Sequence, residues 1–476
     1  MRRRGCLTFL VLLAVFGLVL TLFLITEFRS SRVQANYLAG IASELAWTVE
    51  PGPSSAIRFP GSGPFDQRLG YTAIPRMTTR LEERGFAIES QAVVSPRFEQ
   101  LVDRGLFPIY REKAAGGLTI LDRGGDVVFT AQYPSRLFPE FDSLSPVIVR
   151  TLLYIENRNL LDPRYPKRNP VIEWRRMGKA ALEYAARIVG ADRNIPGAST
   201  LATQVEKYRH SPMGITGNVR EKLRQVASAS VRIYLDGEET LSAQKRVILD
   251  YLNSVPVAAI PVHGEVNGLA DALWAWYGLD HEEVAAVLRR EGGSIRPEEM
   301  LKSELRVAYP EPEWADPDTL AQAGRAYRAV LSLLLAHRRP TWYLARGEGQ
   351  QELRALTDSH LRRLAQDGII SPALRDAALT AVLDLRPRAP LLPPTSFVER
   401  KAANTVRSGL LSVLGVKQLY DLDRYDMTVT ATVDRETQLA VSRTIGKLSA
   451  PEFLREHGLT QDRLLRRGDP PKVIYS

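Results

Sequence analysis

From Leu7 to Ile25 the chain is uncharged and apolar. About twenty such residues can cross a bilayer as one helix. Arg2, Arg3 and Arg4 precede the run, and Thr26–Glu27–Phe28–Arg29 follows it. A cleaved leader has a shorter apolar core and a small-residue cleavage site after it. This run therefore predicts an uncleaved anchor. The positive flank predicts a cytoplasmic N-terminus, with everything after residue 28 on the extracytoplasmic side of the inner membrane.

Beyond the anchor the pattern turns helical. Arg32–Trp47 reads as a helix continuing from the anchor, Glu50–Pro64 as a Pro-, Gly- and Ser-rich loop, and Met77–Gly85 and Pro96–Gly105 as short helices. Gly117–Tyr133 carries two β-prone runs around Asp122–Asp126, which predicts a hairpin. Leu144–Glu156 places Val147, Ile148, Leu152, Leu153 and Ile155 at helical spacing. Further helices are expected over Val171–Val189, from Ser199 or Thr200 to about Arg209, and over Val219–Leu235, Leu241–Asn253, Gly264–Gly278, Leu320–Ala336 and Leu353–Gly368. Within Val219–Leu235, Ala227–Ser230 forms a small-residue stripe that lets another helix approach. Leu385–Thr395 is Pro-rich, Met427–Val433 alternates like a strand, and Arg435–Ser449 is helical again. The expected fold is mainly α with a small β-hairpin region, preceded by one transmembrane helix. Five segments follow: the tip and anchor at 1–28, a membrane-proximal region at 29–115, the main domain at 116–380, a Pro-rich linker at 381–425, and a last segment at 426–476.

Composition narrows the partners. The 476 residues carry a net charge of +9, with 45% hydrophobic and 25% charged residues, as in ordinary globular domains. A basic balance suits an anionic membrane surface, a phosphorylated substrate or nucleic acid. Nucleic acid is set aside, because the chain has no zinc spacing, no RNA-binding aromatic signature and no long Lys/Arg run. The one cysteine is Cys6, which excludes an intramolecular disulfide and cysteine-based catalysis in the rest of the chain.

The candidate chemistry centres on Asn194–His210, NIPGASTLATQVEKYRH. The Pro196–Gly197 turn feeds a helix whose first N–H groups are free, a plausible phosphate seat. Gln204 and Lys207 follow at helical spacing. Upstream, the Leu144–Glu156 helix delivers Glu156 at its C-terminal end, against the local preference of an acid. Downstream, Arg220 and Arg224 lie one turn apart, and Asn253 ends its helix.

Together these stretches resemble glycosyltransferase family 51, the peptidoglycan glycosyltransferase domains of bifunctional penicillin-binding proteins and monofunctional transglycosylases. Glu156–Asn157 stands where the family has Glu-Asp. Gly197, Ser199, Thr200, Gln204 and Lys207 match the Gly-Gly-Ser-Thr-Ile-Thr-Gln-Gln-Leu motif and its following Lys. Arg220 matches the Arg-Lys motif, whose Lys is here Glu221 and whose later Glu is Arg224. Val247–Asn253, with Asp250, Tyr251, Leu252 and Asn253, resembles the Ile-Leu-Glu-x-Tyr-Leu-Asn motif, and Arg325–Leu331 a late Arg-x-x-x-Val-Leu stretch. The likeness spans about 117–370. Residues 427–439 are similar to the start of a linker into a transpeptidase domain, whose motifs the sequence lacks.

The resemblance implies a lysozyme-like fold and the polymerisation of lipid II into glycan strands with loss of undecaprenyl pyrophosphate. It implies Glu156 as general base, with Glu221 a second acid able to reach the space left by the family's Glu. It implies Gly197, Ser199, Thr200, Gln204, Lys207, Arg220, Arg224 and Asn253 as substrate-binding residues. Either Arg224's fixed charge replaces a metal-bound carboxylate, or catalysis is impaired; a divalent cation, Mg or Mn, stays open. The implied partners are lipid II, the growing strand, the inner membrane, and a transpeptidase or other cell-wall synthase. Two rivals remain: a catalytically weak scaffold that binds lipid II or partner synthases, and a lytic enzyme that cleaves glycan.

Overall fold

The computed structural model describes residues 2–174, 178, 199–292, 314, 316–390, 397–448 and 450–459. The expected helices over 171–189 and the turn at Gly197 lie largely outside these residues. The described chain is mainly helical and divides into two compact units.

The first unit comprises 1–75, 86–115 and 134–391. It opens with α1, Arg2–Ser30, in which Val11–Ser30 is long and apolar enough to cross a membrane. The expected continuous helix to Trp47 is broken at Ser31, which takes a left-handed φ of 52°. The Glu27 carboxylate accepts bonds from the backbone N–H groups of Val33 and Gln34 at 3.0 Å each. It thereby satisfies donors at the start of a new helix, α2, Arg32–Ser43. Trp47 starts a strand instead: β1, Trp47–Pro51, pairs antiparallel with β2, Ser90–Val94.

The core of this unit is built on α3, Pro146–Glu156, in which every residue from Val147 to Leu153 is buried. Pro146 opens the helix, where its missing N–H costs nothing. Around it pack α4, Leu201–His210, which carries α5, Val219–Ile233, against it; α6, Leu241–Ser254; and α7, Pro317–Ala336. The small-residue stripe on α5 serves as expected, since Ala35 and Ala42 of α2 share a buried cluster with Ala229, Val231 and Ile233. The expected helix over Gly264–Gly278 starts only at Leu269, because Ile260 bridges Gly264 and Pro256 bridges Asn267 in the loop before it.

A buried ionic network fixes the far end of α4. His210 Nδ1 lies 2.8 Å from Asp66 and its Nε2 2.5 Å from Glu112, while Arg209 reaches Glu112 at 2.5 Å and Asp250 of α6 at 3.5 Å. Arg232 of α5 lies 3.2 Å from Glu112 and donates to Glu206 at 2.6 Å. Gly63, at φ 127°, lets the chain pass so close that a Cβ there would meet Arg209 O at 2.2 Å.

The second unit comprises 76–85, 116–133 and 392–476. Its hairpin of β3, Gly116–Leu121, and β4, Val127–Tyr133, turns where expected. Asp122 Oδ1 accepts from the N–H groups of Gly124 and Asp126 at 2.8 and 2.9 Å. Met427–Thr430, β5, adds a parallel third strand beside β3. In this unit the hairpin groups with the C-terminal residues. The expected linker at 381–425 also carries a helix, Phe397–Leu414.

Candidate active site

The core helix α3 ends at Glu156 and α4 passes beside it. Gln204 donates from Nε2 to Glu156 Oε2 at 3.2 Å, and its carbonyl accepts from the Tyr208 hydroxyl, also at 3.2 Å. Glu156 Oε1 is buried and has no hydrogen-bond partner among the described residues. Two cationic or titratable groups lie just beyond hydrogen-bond reach of it: His337 Nε2 at 3.6 Å and Arg338 at 3.5 Å. His337 donates through Nδ1 to the Leu334 carbonyl. Burial pushes its pKa down against the attraction of Glu156, so at neutral pH the ring is uncharged. Its Nε2 then presents a lone pair, and Glu156 Oε1 keeps a free acceptor.

The cations stand on α4 and α5. Burial lowers the Lys207 pKa while the Glu156 charge opposes the shift, which places Lys207 within the carboxylate's field. Its ammonium lies over the Tyr208 ring, 4.4 Å from the centroid. Burial, with a smaller push from Glu156, raises the Tyr208 phenol to about 12. Lys222 donates to Ser199 Oγ at 3.1 Å. Burial and then the Lys207 charge press its pKa down to about 8. Two partly desolvated ammonium groups repelling one another in this way are poised for an anion.

The other expected site residues fall differently. Thr200 is a fully buried N-cap: its hydroxyl donates to the Val171 carbonyl at 3.0 Å, and Thr203 completes a capping box. It shapes the helix start and offers no free hydroxyl to a substrate. Asn253 is likewise engaged, donating to the Phe138 carbonyl at 2.8 Å and accepting from the Phe138 N–H at 2.9 Å. It staples the loop before α3, with both ends of its amide engaged by the Phe138 backbone. Asn253→Ala would strand both backbone groups in the core, at about 1–3 kcal/mol each. A lower midpoint in thermal unfolding is the expected result.

Arg224 lies over the Phe107 ring at 4.0 Å from the centroid, with its pKa lowered by burial. Arg220 is exposed. Among the described residues no hydrogen bond or ion pair joins Arg220, Arg224 or Glu221 to Glu156. Successive helical residues are about 100° apart, so Lys222 looks out on the side of α5 opposite Arg220 and Arg224. His337, Arg338, Tyr208 and Lys222 were not expected from the sequence. Lys222 alone carried a usable signal, because a helix that turns Lys222 inward must turn Arg220 away.

A helical domain in which a buried carboxylate oxygen lies in the field of half-buried Lys207, with half-buried Lys222 in turn beside Lys207, has the makings of a group-transfer site with an anionic leaving group. Residues 125–288 match the family model described as Transglycosylase. This segment is therefore a transglycosylase domain, of the family that the motifs at Glu156 and Ser199–Lys207 resemble, and it supports a peptidoglycan glycosyltransferase type of function. The match contains Glu156, Gln204, Lys207 and Lys222 and stops short of His337. No curated protein matches the chain.

Proposed function

We propose that the chain is a membrane-anchored peptidoglycan glycosyltransferase, a hexosyltransferase that polymerises lipid II into glycan strands outside the inner membrane. The observation that carries this reading is the buried Glu156 Oε1, which accepts no hydrogen bond among the described residues, on a carboxylate within the field of Lys207. In the reaction the acceptor sugar hydroxyl gives its proton to Glu156 Oε1 while its oxygen attacks the anomeric carbon of the donor. The bond from that carbon to the pyrophosphate oxygen breaks, and undecaprenyl pyrophosphate leaves with the electron pair. Lys207 and Lys222, with Ser199 beside Lys222, meet the charge that develops on it. Gln204 holds the second carboxylate oxygen, so Oε1 faces the acceptor. Gly197 of the same motif lies outside the described residues.

The described groups do not fit a divalent cation. The Glu156 carboxylate lies in the field of Lys207, and among the described residues no group of His, Cys, Asp and Glu is placed to hold a metal. No step here uses one. A transpeptidase or other synthase acting on the strand remains the proposed partner.

The test follows from Lys222. Its charge is present below about pH 8 and lost above it, so lipid II affinity should weaken as pH rises through 8. In Lys222→Met the KM for labelled lipid II should rise about tenfold at pH 7 and its dependence on pH near 8 should flatten. An unchanged KM and pH profile would remove Lys222 from the leaving-group site.

A further inference from the structure

A second basic cavity lies where α1 meets the domain. It encloses about 360 Å³ and is lined by Ile25, Thr26, Arg29, Arg32, Arg164 and Lys167, among others. We infer that this cavity binds the phosphate headgroup of an anionic phospholipid of the outer leaflet. The inference rests on the proposed anchoring of α1 and not on the proposed chemistry.

Position is the first argument. The apolar span ends at Ser30, so Ile25 and Thr26 fall in its last turns and Arg29 and Arg32 just at and beyond its end. That is the depth of a headgroup, with acyl chains alongside Ile25. The Phe28 ring stacks on Trp174 at 4.4 Å, and aromatic rings favour this boundary. Charge is the second. Arg164 is held by Asp162 at 2.9–3.0 Å, and Lys167 pairs with Glu238. The Glu27 carboxylate is engaged by the Val33 and Gln34 N–H groups. Among the described residues no carboxylate lies within ion-pair distance of Arg29 or Arg32, and both are exposed. The cavity thus holds two guanidinium groups, Arg29 and Arg32, without an ion-pair partner among the described residues, and guanidinium suits phosphate. Rigidity is the third. The left-handed Ser31 and the Glu27 cap set the corner between α1 and α2, and α2 is seated on α5 through Ala35 and Ala42. Arg29 and Arg32 are therefore presented on a fixed frame. A filled cavity would tie the domain to the membrane at a set height.

The full chain, purified in detergent, would be incubated with phosphatidylglycerol or phosphatidylcholine and examined by native mass spectrometry. Retention of phosphatidylglycerol at least fivefold above phosphatidylcholine is expected. The Arg29→Gln/Arg32→Gln double variant should lose that preference while keeping the thermal unfolding midpoint of the parent, since both side chains are exposed. Equal retention of the two lipids, or a preference unchanged in the double variant, overturns the inference. Displacement of phosphatidylglycerol by millimolar inorganic phosphate, with no preference over phosphatidylcholine, assigns the cavity to a soluble anion and overturns it as well. A chain that washes off vesicles with carbonate overturns both the inference and the anchoring reading. One that stays, without lipid preference, overturns the inference alone.

Discussion

Glu156→Gln should lower polymerisation of labelled lipid II by a factor of about 100 or more, the range in which a positioned general base contributes. The amide keeps the volume and keeps an acceptor for Gln204, but it cannot take the proton of the attacking hydroxyl. The chief loss should therefore fall on kcat. Lys207, deprived of the carboxylate that opposes its desolvation, should titrate at still lower pH. Steady-state kinetics of parent and variant at pH 7 decide the matter. Equal rates would mean that Glu156 is not the base, and that its buried free oxygen has some other use.

The second large effect is on stability. The Glu112 side chain is buried and faces His210, Arg209 and Arg232. Burial alone would raise its carboxyl, but those three cations outweigh it and hold the group well below the ordinary range. Removing one member of a buried ionic cluster leaves the others unpaired, at about 3–5 kcal/mol. Glu112→Gln should thus unfold at markedly lower urea concentration. A change under about 1 kcal/mol would show that the cluster is not holding α4 in place.

The same cluster sets a pH dependence. Burial opposes the charged form of His210, yet Glu112 and Asp66 prevail and raise its pKa to about 9. The unfolded ring titrates near 6.5. Between those values the folded chain binds a proton that the unfolded chain releases, so this contribution is complete below about 6.5 and is lost as pH rises through 9. Chemical denaturation between pH 6.5 and 9 should show stability falling, and the slope should shrink in His210→Gln.

These two residues also mark what the sequence reveals and what it hides. The helix ending at Glu156 and the capped helix carrying Gln204 and Lys207 were legible, because apolar spacing and turn chemistry are local. Their meeting came with the resemblance to a family, not from periodicity. The network of Asp66, Glu112, Arg209, His210 and Arg232 draws on four separate stretches, and nothing local marks any of them as buried. His337 was hidden for the same reason: it follows a plain apolar helix, and only packing brings it to Glu156. Arg220 and Arg224 stand out in the sequence because a face shared by two arginines looks purposeful. Burial of the opposite side of α5 brings Lys222 inward instead. Asn253 was singled out as a ligand, whereas its amide is satisfied by the backbone at Phe138. Ser31 shows the limit in the other direction, since a left-handed serine breaks a helix that the apolar pattern continues.

The central proposition is that the Glu156 carboxylate and two partly desolvated lysines, Lys207 and Lys222, transfer a sugar from a pyrophosphate carrier. Incubating the purified full chain in detergent with labelled lipid II, and resolving the products by gel and chromatography, tests it most directly. The account predicts glycan polymer together with undecaprenyl pyrophosphate. Retained monomer with no polymer, or shortened strands from preformed glycan with lipid II left intact, would contradict it.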